Sequence, residues 1–533
     1  MLRKSSKMLV LLLITSSLLA ACSSNNNSNS TAGNNNAANA TNDGGASATA
    51  DPNAEPTQLS IFYFDAETNP ISDDMPVIKK SEEATNVHLE NVAPIGGEEQ
   101  QAYNLMLSSG EIPDIVSTNL GNLNSIAVEG ALEPLNDLID QYAPNFKKFL
   151  DERPDVANAI TQSDGQIFYV PFVADGAAST GWFIRQDWLD NLGLSMPKTV
   201  DEYHDALTAF LNDDPNGNKK KDEIPYFNRR TDTGVDQLLP LFDAFNTFYI
   251  KPDGQIAFGP YEAQYKDALS NLAQWYKEGL IDKEIYTRGS TARDTLLAND
   301  TGGSTHDWFG STAGYNDSLS ADVPGMQFYP MTPPASTSGK IFETGMRAAL
   351  NGKGWAISAQ SEDKEAAMKY FDFWWSEEGR RMFNFGVEGE TYNMVDGQPI
   401  FTDEVLAQPS VLGYLISDYG AQLAGIGAWQ DFNYEKQWTN EIALKGVLDY
   451  QDNNYIDPNY TLPTLSFTEE EQNKINQLQT AITTYVTETT QKWVMGGEQV
   501  DAGYDTYINQ LKKLKIDELI AVYQSAYDRY MKK

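Results

Sequence analysis

The chain has 533 residues, with 38 Lys and Arg against 75 Asp and Glu, for a formal net charge of −37. Such a field repels anionic polymers, and no basic tract follows the first few residues, which argues against a nucleic-acid partner. The length admits two or more domains with a sizeable core, and one cysteine, Cys22, leaves the fold without an internal disulfide.

Residues 1–21 read as a secretory signal: Arg3, Lys4 and Lys7, then the apolar run Met8–Ile14, then Leu19–Ala20–Ala21 before Cys22. The apolar run is too short for a comfortable transmembrane span. Residues 22–56 are Asn, Ser, Ala, Gly and Thr with almost no apolar bulk. A segment of that composition cannot offset its ordering entropy by burial and is expected to be a disordered tether.

The body opens with an apolar strand at Leu59–Phe64, a helix at Pro76–Ala84 and a second strand at Val87–Val92. A helix at Glu98–Ser109 stops at Gly110, and a third strand follows at Asp114–Ser117. This alternation predicts an α/β sheet with helices on its faces. Leu132–Ile139 is amphipathic, and Gly165–Val173 reads as extended chain leaving the first unit. A second α/β unit starts near Gly181, with Trp182–Arg185 extended and helices at Asp187–Gly193, Thr199–Leu211 and Tyr265–Glu278. Gly302–Trp308 reads as a return crossing, Met326–Thr332 and Gly354–Ser358 as strands, and Lys364–Trp375 as a helix. The last third is helix-rich, with a capping box at Thr468–Glu471 and an apolar stripe behind it.

Two α/β units joined by several crossings predict a two-lobed clamshell with a ligand in its cleft. The expected division is 57–170 and 307–392 in one lobe, and 171–306 and 393–533 in the other.

Between a helix and a strand, Asp214, Asn216, Asn218 and Asp222 place side-chain oxygens on alternate positions of a turn-forming loop. That pattern suits a hard cation. Measured against an EF-hand, the sixth position is Lys219 rather than Gly and the twelfth is Pro225 rather than Glu.

Several motifs resemble those of the family 1 extracellular solute-binding lipoproteins of ABC-type sugar importers, in particular the large branch that includes alginate-binding proteins. They are the Leu-Ala-Ala-Cys box at Cys22, Gly-Glu-Ile-Pro-Asp-Ile at 110–115, Arg185–Leu194, Phe385–Tyr392 and the ending from Tyr504 to Tyr530. The resemblance implies a periplasmic-binding-protein fold, an oligosaccharide ligand, delivery to a membrane permease, and ATP hydrolysis by separate subunits. It implies lipidation of Cys22, hence an extracytoplasmic, membrane-tethered monomer with no catalysis of its own. It also implies one structural calcium, held by side chains of Asp214, Asn216, Asn218, Asp222 and Glu223 and the backbone carbonyl of Lys220.

A sugar presents apolar C–H faces ringed by hydroxyls, so its site needs flat aromatic platforms and a few planar hydrogen-bonding groups. The aromatic and polar groups at the supposed crossings supply the candidates: Trp182, Asp307, Trp308, Tyr392, Trp429 and Trp438. Tyr63 and Asp65 follow the first strand, and Arg185 would suit an acidic sugar. The negative balance of the chain leans toward a neutral or mixed glycan. Two other classes share some of these features. A secreted glycoside hydrolase would need two carboxylates at a defined separation. A calcium-dependent adhesion protein would need no clamshell.

Overall fold

The computed structural model describes residues 55–64, 71–94, 96–176, 178–230, 234–345, 347, 350–423 and 425–532. The expected signal, Cys22, most of the tether and Asp65 lie outside the described residues.

Two sheets carry the architecture. The first has six strands in the order Trp429–Gln430, Val170–Ala174, Leu350–Ile357, Ile115–Asn119, Thr57–Tyr63 and Val87–Asn91. Thr57–Tyr63 pairs parallel with both neighbours, while Leu350–Ile357 enters antiparallel between Ile115–Asn119 and Val170–Ala174. Parallel neighbours need crossovers, supplied here by helices Pro76–Thr85 and Glu99–Ser109. The second sheet has four strands, Phe328–Met331, Thr180–Arg185, Gly302–Trp308 and Ile224–Tyr226. Gly302–Trp308, expected as a crossing, is instead a central strand, buried along Gly302–Asp307. Its glycines explain the misreading. A Cβ on Gly302 would meet the Phe227 ring at 2.7 Å, and one on Gly303 the Pro225 carbonyl at 2.8 Å. The strand lies so close to its neighbours that the β-branched residues that mark a strand do not fit there.

Each sheet has its own hydrophobic core. The first gathers buried residues from Leu59 to Val173 and from Leu350 to Tyr434, with Trp355, Trp374 and Phe371 at its centre. The second gathers Ala178 to Met331 and Ala443 to Val522, with Trp188, Tyr203 and Trp493. The cores therefore change over between Val173 and Ala178, between Met331 and Leu350, and between Tyr434 and Ala443. The last two changeovers fall later than the 307 and 393 expected from sequence. In both cases the chain up to the changeover still supplies buried residues to the core it has not yet left, Phe309 and Phe328 to the second and Phe401 and Val405 to the first.

The helix Glu469–Val494 begins with the expected capping box, Thr468 accepting from Glu471 N and Glu471 accepting from Thr468 N. Arg529 of the final helix, Ile516–Tyr530, closes both Glu471 oxygens at 2.9 and 2.5 Å. Burial raises the Glu471 pKa, but the Arg529 hydrogen bonds and the Thr468 N–H outweigh it and bring it to about 2. A depressed carboxylate contributes stability above its unfolded pKa that is lost as pH falls through the folded one. The window is thus from about 4.5 down to about 2, and the linkage figure of ~3 kcal/mol shrinks to about 2 kcal/mol with solvent screening. Glu471→Gln is expected to flatten the loss of stability over that range, read by urea unfolding at pH 7 and pH 3.

Candidate functional site

The loop after helix Val200–Asn212 folds as a tight knot, with Asp214, Gly217 and Lys219 at φ 48, 70 and 64. The non-glycine sixth position thus adopts the left-handed backbone that an EF-hand gives to glycine. Asp214 accepts from Lys219 N through both oxygens, at 3.2 and 3.1 Å. Asn216 and Asn218 turn their amide nitrogens to Asp300 O and Asp222 Oδ1, and their oxygens accept from Asn218 N and Lys220 N. No group of three or more His, Cys, Asp or Glu side chains is arranged to hold a metal among the described residues. One group lacks a partner: Glu223 is 7% exposed and its Oε1 accepts no hydrogen bond. Burial raises its pKa, and the Asp222 and Asp214 carboxylates add to the rise. Three acidic groups around a strained turn, one of them buried and unsatisfied, are the donor chemistry of a hard cation.

A cavity of about 480 Å³ opens at the second sheet beside the crossings, with Thr180, His306, Asp307, Thr344 and Gly345 in its lining. Its other walls bring Asp236, Asn246, Phe245, Phe248 and Tyr460. Phe245 stacks on Tyr460 at 4.2 Å and Phe248 on Tyr523 at 4.0 Å. Asp307, one of the expected ligand residues, is 5% exposed and bound by two arginines. Arg229 donates to both its oxygens at 2.6 and 2.9 Å, and Arg293 to one at 2.9 Å. The Asp307 hydrogen bond raises the Arg229 pKa, whereas burial lowers that of Arg293 despite the same carboxylate. Beside it, His306 Nε2 lies 2.9 Å from Glu343 of the second crossing, both side chains buried.

A second cavity, about 510 Å³, opens on the first core and includes Phe149, Arg380, Asn384, Trp429 and Asp431. Trp429 Nε1 donates to Asp175 at 2.8 Å, on the first crossing. The Arg380 guanidinium lies flat over the indole, 3.3 Å from its centre, and Phe149 packs against the ring at 4.9 Å. Arg380 also faces Asp431 and Asp175 at 3.4 and 3.7 Å. Burial raises the Asp175 pKa, opposed by the Trp429 N–H and Arg380. Only five residues along the same crossing, Thr180 lines the first cavity.

The remaining expected residues fall elsewhere. Trp182 is 3% exposed, edge-on to Tyr203 and His306, and belongs to the second core. Tyr392 is 4% exposed and packs on Phe385 in the first. Trp182 sits between Gly181 and Phe183 in a strand buried along Gly181–Arg185, and Tyr392 opens a strand whose other residues are exposed. Trp308 is 43% exposed and Trp438 packs beside Tyr434, and neither lines the two cavities. Arg185 is a structural anchor: 1% exposed, doubly bonded to Asp187, paired with Asp300 at 2.6 Å, and stacked on Trp188. Sequence reasoning missed Arg229, Arg293, Arg380 and Asp175, whose roles depend on partners distant in the chain.

Residues 77–384 match the family described as bacterial extracellular solute-binding protein. The chain belongs to that family. Among solved structures, the solute-binding fold of the alginate-binding protein AlgQ2, determined without calcium ion, superposes with a TM-score of 0.73 at 37% identity. That comparison covers 89% of this chain and 98% of AlgQ2. The fructooligosaccharide ABC transporter substrate-binding protein FusA of Streptococcus pneumoniae is 28% identical over 89% of this chain and 91% of its own length. A solute-binding protein from Bifidobacterium longum infantis shares the fold, with a TM-score of 0.74 at 22% identity over 90% of this chain and 100% of its own. All three relatives are described as binding proteins. Among the described residues, no helix of this solute-binding protein is long and apolar enough to cross a membrane.

Proposed function

We propose that this protein captures an oligosaccharide outside the cytoplasm and presents it to the permease of an ABC importer. The observation that carries the reading is the first crossing. Its Asp175 end pins the Trp429 platform on one core, and its Thr180 end lines the aromatic and carboxylate-bearing cavity on the other. A ligand bridging those cavities would couple sugar stacking to the angle between lobes, which is the signal a permease needs. Support for the sugar class comes from FusA, whose name specifies a fructooligosaccharide, and from AlgQ2, an alginate-binding protein.

The chain acts without catalysis, as a monomer tethered by lipid at Cys22. Calcium at the 214–223 loop serves stability: Asp214, Asp222 and Glu223 would hold it with carboxylates, Asn216 and Asn218 with amide oxygens, and Lys220 with its carbonyl. The ion would supply the positive charge that the unsatisfied Glu223 lacks. No residue of the loop lines either cavity.

A thermal-shift matrix of oligosaccharides, run with calcium and with chelator, tests both parts. Saturable stabilisation by unmodified sugar is expected, and turnover of the sugar contradicts the reading. Calcium at about 100 times its Kd is expected to add about 2.7 kcal/mol, and Asp222→Ala to abolish that gain while the sugar response persists. A change in sugar selectivity on Asp222→Ala would move the metal into recognition.

A further inference from the structure

The 480 Å³ cavity does not end at the crossings. A second hollow of about 450 Å³ shares Asp236, Asn246, Thr247 and Phe248 with it and continues along helix Glu469–Val494. Gln479, Thr483, Thr487 and Gln491 of that helix line it. Their four-residue spacing sets a polar group about every 6 Å on one helix face. Only Gln479 among these four has a side-chain hydrogen bond within the described residues, from Tyr523 at 3.3 Å. Tyr286 also lines it, and its hydroxyl is shielded from water and has no hydrogen-bond partner among the described residues. Gly234 makes room for it, since a Cβ there would meet the Tyr286 ring at 2.0 Å. The position of the orphan hydroxyl is therefore specified by the fold and not by a movable surface side chain.

An unpartnered hydroxyl in the wall of a hollow lined by a hydroxyl and amide ladder suits a polar, uncharged occupant. Among the described residues, the single charged one in the lining is Asp236, an acid that already accepts from Asn246 at 2.5 Å. Among those residues no cation in the lining would balance a carboxylate or sulfate, and Asp236 would repel one.

We infer that this hollow is a second compartment of the ligand groove, taking a neutral, hydroxyl-rich terminal unit whose hydroxyl accepts from Tyr286 and meets the helix ladder. The inference rests on the reading of the first cavity as a glycan site. It makes the groove longer than one cavity and selective for neutral ends.

Calorimetric titration of the full chain with a ladder of neutral oligosaccharides of increasing length, and a matching uronate ladder, tests it. Affinity is expected to rise with neutral chain length. Tyr286→Phe is expected to weaken the long members about 3- to 10-fold, to leave the shortest unchanged, and not to lower Tm. Thr487→Leu, which projects into the hollow, is expected to erase the gain with length while the shortest member still binds. Variants that follow the wild type at every length overturn the second compartment and leave the glycan reading intact. Wild type that takes the uronate ladder in preference overturns the neutral class. Wild type that binds neither ladder overturns the glycan reading itself.

Discussion

Trp429→Ala is expected to lower oligosaccharide affinity by about 30- to 1000-fold, the ~2–4 kcal/mol typical of a binding hot spot. The indole offers a flat surface in the cavity on the first core, and Asp175 fixes its plane through a 2.8 Å hydrogen bond. Arg380 covers that plane at 3.3 Å, so a sugar that stacks there displaces or shares the guanidinium. Two companion variants separate stacking from packing. Trp429→Phe keeps an aromatic face and should recover most of the affinity. Asp175→Asn keeps the ring and loosens its hold, giving an intermediate loss. Titration calorimetry on the three, with Tm measured in parallel, checks the order. If alanine and phenylalanine bind equally, the ring is packing material and the sugar stacks elsewhere.

Asp307→Ala is expected to destabilise the fold by about 3–5 kcal/mol, because it strands two arginines that share one buried carboxylate. Arg293 suffers most. It is 8% exposed, its pKa is already lowered by burial, and beyond Asp307 its guanidinium finds the Thr312 hydroxyl and the Tyr315 ring. Asp307→Asn keeps the shape and one acceptor and should cost less. Combining Asp307→Ala with Arg293→Met removes the uncompensated charge, so the double variant should be more stable than the sum of the singles predicts. Urea unfolding of the cycle measures this. Strict additivity would show that the triad is not coupled. Since Asp307 also lines the cavity, sugar affinity should fall in Asp307→Asn even where the fold survives.

The elements legible in the sequence are those whose signal is local. The strand opening the first sheet, helices Pro76–Thr85 and Glu99–Ser109, and the capping box at Thr468 all carry their cause within a few residues. Gly302–Trp308 was not legible, because its glycines answer to Phe227 and Pro225 across the sheet. Trp182 and Tyr392 show the same limit in the site. An aromatic residue at a supposed crossing fits a cleft rim and an inward strand position equally well, and only the sheet register separates them.

Asp307 and Trp429 were expected from their neighbours in sequence and do line cavities, yet the reason each is held there was out of reach. Arg229 lies 78 residues from Asp307, and Asp175 lies 254 from Trp429. Ion pairs and indole hydrogen bonds of that span leave no periodicity to read.

The sequence by itself determined the α/β class and the polar turn at 214–223, since hydrophobic spacing and glycine and proline stops are properties of short segments. Only the tertiary structure decided where the chain changes core, which aromatics face a cavity, and that the Glu223 Oε1 and the Tyr286 hydroxyl are shielded without partners among the described residues. Those outcomes depend on which distant groups come within hydrogen-bond reach, and packing alone brings them together.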